Sequence, residues 1–80
     1  MKETFSEAVA RQLRGYMSQK KIQQATISER TGIKPRTLAR YLNEPKQLSL
    51  ETVQLLCEAI GVDLFTVIAT AEREIKEQSD

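Results

Sequence analysis

The chain has 80 residues, of which 40% are hydrophobic and 29% charged, a composition typical of one small folded domain rather than a disordered segment. The polar first residues and the lack of a long apolar run predict neither a signal peptide nor a membrane-spanning helix. Because there is no histidine and only one cysteine, Cys57, the composition excludes a Cys/His zinc site, an internal disulfide and every histidine-dependent catalytic triad. We therefore expect a single cytoplasmic domain over residues 1–80 that is not an enzyme and uses no metal, cofactor, membrane or small-molecule ligand.

The net charge of +1 conceals an uneven distribution along the chain. Residues 20–46 carry seven lysines and arginines against two acidic residues, whereas residues 47–80 carry two against seven. The middle third therefore has a charge of +5 and the last part a charge of −5. An asymmetry of this kind orients a protein toward a polyanion.

Five segments with apolar residues at helical spacing, separated by short turns, predict an all-α fold. The predicted helices cover about residues 4–20, 24–31, 35–43, 50–60 and 64–75, followed by a frayed acidic tail over 76–80. Thr4 and Glu7 have the spacing of a capping box, and Ser49 is a suitable cap for the fourth helix. Gly32 and Gly61 are suited to end the second and fourth helices, because glycine adopts the left-handed conformation without strain.

The first and fifth predicted helices carry the clearest apolar stripes. The stripe of the first helix consists of Phe5, Val9, Leu13, Tyr16 and Met17. The stripe of the fifth helix consists of Leu64, Val67, Ile68, Ala71 and Ile75. Phe65 lies to one side of the stripe of the fifth helix. Phe65 and Ile75 are the surface apolar candidates for a dimer patch, and the alternative is that both close the core.

Residues 24–43 predict two short helices joined by a tight turn, Thr31-Gly32-Ile33-Lys34. This arrangement is the helix-turn-helix, whose second helix enters the major groove of DNA. That second helix opens with Lys34-Pro35-Arg36, which places cations at the positive end of its dipole. Such a charge is unfavourable by roughly 0.3–1 kcal/mol at an exposed terminus unless an anion is present, and the phosphate backbone of double-stranded DNA would supply one.

The third predicted helix has two different faces at about 100° per residue. One face carries Leu38, Tyr41 and Leu42, which we expect to pack onto helices 1, 2 and 4. The opposite face carries Arg36, Ala39, Arg40 and Asn43, which are candidates for reading DNA bases.

Each residue of that second face suits contact with a base edge. The guanidinium groups of Arg36 and Arg40, one turn apart, can each bind guanine O6 and N7 bidentately. Ala39 is small enough for close approach, and its methyl group could contact a thymine methyl. Asn43 either reads a base or ends the helix.

Five residues are candidates for phosphate contacts. Gln24 would lie in the first turn of the second helix, where free N–H groups face a phosphate when such a motif docks, although an ordinary surface glutamine is the alternative. The other candidates are Lys34, Thr37, Lys46 and Gln47.

Residues 13–68 resemble the helix-turn-helix domains of the lambda-repressor/Cro (XRE) family. The resemblance rests on Gln24, Ser28, Gly32 and Leu38, which stand at the family's spacing, and on the downstream segment SLETVQLLCEAIGVDL. It implies a compact five-helix fold in which the second and third helices form the motif, and a sequence-specific transcription regulator of bacterial, phage or mobile-element type.

By the same resemblance, Pro35, Arg36 and Arg40 occupy the base-reading positions, and Gln24 occupies the phosphate-binding position. Pro35 has no side-chain donor, which leaves sequence preference to the two arginines. Met17 and Leu42 stand where the family often has a buried ion pair, an exchange for an apolar contact that leaves the fold intact.

Two functions follow from the sequence. The first is a DNA-binding transcriptional regulator, expected to be a repressor that occupies operator DNA as a homodimer formed through the fifth helix. The alternative is a protein-binding module, such as an antitoxin or antirepressor, that binds its partner through the fifth helix. Salt dependence distinguishes them, because binding through several phosphates weakens steeply as salt rises.

Overall fold

The computed structural model describes residues 3–44, 46 and 48–78, and these residues form five α-helices joined by short turns. The helices are α1 (Phe5–Lys20), α2 (Gln24–Thr31), α3 (Pro35–Asn43), α4 (Leu50–Ile60) and α5 (Leu64–Gln78). No strand occurs within the described ranges. The prediction of an all-α, five-helix fold is confirmed.

Three of the helices begin with a side chain that accepts a hydrogen bond from the first turn. Thr4 and Glu7 form the predicted capping box, in which each side chain accepts from the backbone N–H of the other residue, at 3.1 and 2.8 Å. The Ser49 hydroxyl accepts from the backbone of Thr52 at 3.1 Å, and the Asp63 carboxylate accepts from the backbone of Thr66 at 2.9 Å. These bonds satisfy N–H groups that have no partner within their own helix.

Three helices end at a residue in the left-handed conformation. Gly32 and Gly61 have φ values of 77° and 85°, as their positions after α2 and α4 predict. Lys21 ends α1 with φ of 58°, a conformation that is strained for a residue with a Cβ atom. Its backbone N–H donates to the carbonyl groups of Met17 and Ser18.

The last helix is longer than the sequence predicts. α5 ends at Gln78 rather than near Ile75, so the expectation that a frayed tail begins at residue 76 is wrong for residues 76–78, and residues 79–80 lie outside the described part. The Gln78 side chain accepts from the backbone N–H of Glu3 at 2.9 Å and donates to the Glu3 carboxylate at 2.9 Å. Glu3 thus provides the last turn of α5 with partners that are distant in sequence.

A network of polar side chains joins α5 to α1 beside these bonds. The Arg11 guanidinium forms ion pairs with Glu3 at 2.9 Å and with Glu74 at 2.8 Å, and Gln12 also donates to Glu74. These partners lower the pKa of Glu3 to about 2, chiefly through the hydrogen bond from Arg11. We call the set of Glu3, Arg11, Gln12, Glu74 and Gln78 the terminal clamp.

One apolar core receives side chains from every helix. Its largest fully buried members are Leu13, Ile27, Leu38, Leu42, Leu56, Val9, Val67 and Cys57. α1 packs against α3, α4 and α5, and α2 packs against α3 and α4. The backbone of α3 is close to α1 and α2 but not to α4 within the described residues. Leu38 and Leu42 nevertheless belong to the same buried cluster as Val53 and Leu56 of α4.

One member of the predicted α1 stripe faces outward. Phe5 is 45% exposed, because it lies in the first turn of α1, at the edge of the bundle. Leu64 and Ile75 pack against the core as the stripe of α5 predicts.

Within residues 3–44, 46 and 48–78, no single helix is long and apolar enough to cross a membrane, and α4 and α5 reach that length and composition only as a pair bent by 116°.

Candidate nucleic-acid interface

The turn between α2 and α3 is fixed by hydrogen bonds from two hydroxyl groups. The Thr31 hydroxyl donates to the carbonyl of Ile27 at 2.8 Å and accepts from the backbone N–H of Ile33 at 3.1 Å. The Ser28 hydroxyl donates to the carbonyl of Ile33. Together with the left-handed Gly32, these bonds set the angle at which α3 leaves α2.

The inner face of α3 is anchored in the protein. Leu38 and Leu42 are fully buried, so the helix cannot rotate about its axis without exposing both side chains to water. At the far end, the guanidinium of Arg14 in α1 donates to the carbonyl of Leu42. That bond places a cation at the negative end of the α3 dipole, which stabilises the helix terminus.

The outer face of α3 brings together the residues predicted to read bases. Arg36, Arg40 and Asn43 are exposed, Ala39 is half-buried, and all four line one shallow depression on the surface. No hydrogen bond or ion pair to another described residue engages the guanidinium of Arg36 or Arg40. Glu44, which the sequence analysis did not single out, lines the same depression. It follows Arg36 by eight positions, so helical spacing could have revealed it.

Pro35, the fifth residue predicted to read bases, is exposed at the first position of α3. Lys34 precedes it in the extended conformation that a residue before proline favours, with φ of −62° and ψ of 144°. Thr37 is half-buried in the first turn of the same helix. Lys34, Pro35 and Thr37 therefore surround the N-terminus of α3, next to the depression.

The remaining candidates for phosphate contacts lie at other points of the motif. Gln24 is exposed at the first position of α2, and Lys46 is exposed after the end of α3. Gln47 lies outside the described residues.

The two helices of the motif begin without a side-chain cap, unlike α1, α4 and α5. Neither Gln23 before α2 nor Lys34 before α3 accepts a hydrogen bond through its side chain. Pro35 removes one N–H group from the first turn of α3, and the other free N–H groups of both turns remain available to an acceptor. Such termini attract anions through their N–H groups and through the helix dipole.

Part of the basic block predicted from the sequence serves the fold. The Arg30 guanidinium donates to the carbonyl of Ala59 at 2.7 Å, and the Lys20 ammonium donates to the carbonyl of Gly61 at 2.9 Å. Both cations thus complement the negative end of the α4 dipole. Fewer than the seven cations of residues 20–46 are therefore directed to the surface around α3, and no local sequence pattern indicates this division.

The two residues of the predicted dimer patch are placed differently. Phe65 is 75% exposed near the start of α5, whereas Ile75 is partly buried and packs against the core. Ten residues separate them, which is roughly 15 Å along a helix. The alternative left open by the sequence, closure of the core, applies to Ile75 and not to Phe65.

An apolar groove lies close to Phe65. It is lined by Phe5, Ser6, Val9, Leu48, Leu50, Val53 and Ile68. Ile68 is three residues from Phe65 and therefore adjacent to it on the surface of α5. Leu50, at the rim, is 64% exposed. Phe5, Leu50 and Phe65 form the exposed apolar surface around the groove, here called the apolar rim.

Comparison with known proteins agrees with this geometry. A family model described as helix-turn-helix matches residues 11–67, and the chain therefore belongs to this family of lambda-repressor-like domains. Members of the family are DNA-binding regulatory domains and are generally not enzymes. No match was found among curated proteins or among solved structures.

Proposed function

We propose that this helix-turn-helix protein is a sequence-specific transcriptional repressor of bacterial or phage type that acts on operator DNA in the cytoplasm. The observation that carries the proposal is the outer face of α3, where Arg36 and Arg40 have no described partner. The inner face of the same helix is buried in the core. Two exposed arginines that form no ion pair with a described acidic residue are suited to a ligand rich in hydrogen-bond acceptors.

In this proposal α3 enters the major groove with its outer face toward the bases. Arg36 and Arg40 each donate two hydrogen bonds to a guanine, which presents O6 and N7 in that groove. Ala39 lies between them and contacts a thymine methyl, and Asn43 reads a base toward the C-terminal end of the helix. Pro35 contacts the DNA only through its ring, because it has no donor.

Phosphate contacts fix the position of α3 on the duplex. We assign these to Gln24 and the N-terminal turn of α2, to Lys34 and Thr37 at the start of α3, and to Lys46 after its end. The uncapped turns of α2 and α3 support the assignment, since both present N–H groups without a side-chain acceptor. The assignment of Gln47 rests on the sequence alone.

A second copy of the chain completes the binding unit. One domain of this size makes few base contacts, and helix-turn-helix proteins gain affinity by binding two half-sites as a symmetric dimer. We assign the dimer contact to Phe65 and the rest of the apolar rim, with Phe65 of each copy covering the apolar groove of the other. Ile75 packs against the core and is not assigned to the dimer contact.

The proposal is tested by selecting sites from random duplex DNA and then measuring competition between the selected site and a scrambled one. Arg36→Ala and Arg40→Ala should each weaken binding to the selected site by roughly 1–3 kcal/mol and relax preference at one base pair. Lys46→Ala should weaken binding to both duplexes about equally, because phosphate contacts carry no sequence information.

Arg73→Ala is the matched control. Arg73 is an exposed arginine of α5, a helix that does not pack against α3, and its loss changes the net charge by the same amount. The outer face of α3 does not read bases if both α3 variants still discriminate fully between the selected and the scrambled duplex. The same conclusion follows if Arg73→Ala loses as much affinity for the selected site as they do.

The second candidate function is a protein-binding module, such as an antitoxin or antirepressor, and the apolar rim is the observation that favours it. Sedimentation of the wild type and of Phe65→Ala tests whether this surface joins two copies. The affinity for DNA should also be measured between about 50 and 200 mM salt. If several phosphates are contacted, the affinity falls steeply over this range, so an unchanged affinity would count against phosphate contacts.

A further inference from the structure

Glu44 lies at the C-terminal end of the proposed recognition helix, on its DNA-facing side. It is the residue that ends α3, it is exposed, and it lines the depression formed by Arg36, Ala39, Arg40 and Asn43. Its backbone N–H donates to the carbonyl of Arg40, which keeps the residue against the last turn of the helix. The carboxylate is thus part of the surface that α3 would present to the groove.

The position is unfavourable for a carboxylate in the free protein. The C-terminal end of a helix is the negative end of its dipole, where an acidic side chain destabilises the helix. Arg40 is four residues earlier and could compensate the charge, but no ion pair joins the two side chains. Arg14, which does reach this end of α3, donates to the Leu42 carbonyl. Within the part of the chain that the structure describes, the acidic group therefore has no partner that stabilises the fold.

A carboxylate on this surface is also repelled by phosphate, so it is compatible with tight binding only if it meets a hydrogen-bond donor. The major groove presents two donors, the exocyclic amines of cytosine and adenine. Adenine carries the N7 acceptor beside its amine, which repels a carboxylate, whereas cytosine presents its amine without an adjacent acceptor. The chemistry of the position therefore selects cytosine.

We propose that Glu44 is a specificity-determining residue that accepts a hydrogen bond from the exocyclic amine of a cytosine next to the base pairs read by Arg36 and Arg40. The inference rests on the proposed function and adds one base pair to the recognised site. At guanine or thymine the carboxylate faces only acceptors or a methyl group, and at adenine the N7 acceptor lies beside the amine, so each of these bases weakens binding relative to cytosine. Glu44 thus acts in favour of one sequence and against non-specific DNA.

The test is selection from random duplex DNA with the full chain, carried out in parallel on the wild type, Glu44→Ala, Glu44→Gln and Glu58→Ala. Glu58 is the control, because it is exposed on α4, which does not lie against α3, and its loss changes the net charge equally. Thermal unfolding checks that each variant is folded, and Glu44→Ala should be at least as stable as the wild type.

The wild type should select cytosine at one position beside the two guanines. Glu44→Ala should lose that preference by at least about fivefold and keep the guanines. Glu44→Gln should shift the position toward adenine, whose N6 and N7 suit an amide. Glu44→Ala should also bind scrambled DNA about twofold more tightly at low salt, while Glu58→Ala selects the wild-type site.

Two failures are distinguishable. A wild type that selects no sequence at all overturns the proposed function itself. A wild type that selects guanines through Arg36 and Arg40, with the same full site selected by Glu44→Ala, overturns the role of Glu44 alone.

Discussion

The two faces of α3 predict opposite effects of substitution, and Leu38→Ala tests the inner one. Leu38 is fully buried, so truncation to alanine removes apolar atoms and leaves a cavity between α1, α2 and α3. Leucine-to-alanine changes in cores lower the free energy of unfolding by about 2–5 kcal/mol. The total free energy of unfolding of a domain of 80 residues is roughly 4–12 kcal/mol. The variant should therefore lose a large part of its stability while the side chains on the outer face of α3 are unchanged.

The assay combines urea unfolding, followed by circular dichroism, with fluorescence anisotropy of a labelled duplex carrying the selected site. Leu38→Ala should unfold at much lower urea, and its affinity, corrected for the folded fraction, should match that of the wild type within about twofold. Arg36→Ala should show the reverse, with a free energy of unfolding within about 0.5 kcal/mol of the wild type and weaker DNA binding.

Two results would refute this reasoning. A loss of less than about 1 kcal/mol in Leu38→Ala would mean that the inner face does not anchor the helix as its burial implies. A fully folded Leu38→Ala protein that fails to bind the selected site would mean that the two faces are not separable.

Three further predictions concern the fold. Because the pKa of Glu3 is about 2, below its ordinary value of 4.5, its pairing with Arg11 stabilises the fold above about pH 4.5 and is lost as the pH falls toward 2. The Arg11 side chain is 41% exposed, so the free energy of unfolding should fall by only about 0.5–1 kcal/mol when the pair is lost. In urea unfolding measured at a series of pH values, Glu3→Gln should remove this part of the decrease. Lys21→Gly should raise the free energy of unfolding by up to about 1 kcal/mol in the same assay, because Lys21 has φ of 58°. Burial raises the pKa of the Cys57 thiol, so alkylation at neutral pH should proceed only as fast as the protein unfolds.

Each of these has a clear contrary result. Equal acid sensitivity in the wild type and Glu3→Gln would show that the terminal clamp does not contribute to acid unfolding. A less stable Lys21→Gly protein would show that the greater freedom of glycine in the unfolded chain outweighs the relief of strain. Alkylation of Cys57 at the rate of an exposed thiol, under conditions where the protein stays folded, would contradict its burial.

Features that depend on neighbouring residues could be predicted from the sequence. The Thr4–Glu7 capping box, the cap at Ser49 and the left-handed glycines are set by spacing within one turn, and helical periodicity alone separates the two sides of α3. The outer face could be predicted for the same reason, because Arg36 and Arg40 are one turn apart on a helix whose start is marked by proline.

Features that depend on pairing between distant segments could not be predicted. The extension of α5 to Gln78 rests on hydrogen bonds to Glu3, 75 residues away, and no local pattern indicates that partner. The use of Lys20 and Arg30 at the end of α4 likewise depends on where α4 comes to lie. A charge count along the chain assigns these two cations to the basic surface, whereas the packing of the helices assigns them to helix termini.

The terminal clamp has a consequence for the edges of the domain. Since Glu3 and Gln78 are hydrogen-bonded to each other, the turn that leads into α1 and the last turn of α5 should open cooperatively rather than independently. A fusion or tag that disturbs one end would therefore loosen the other, and amide exchange at both ends should rise together.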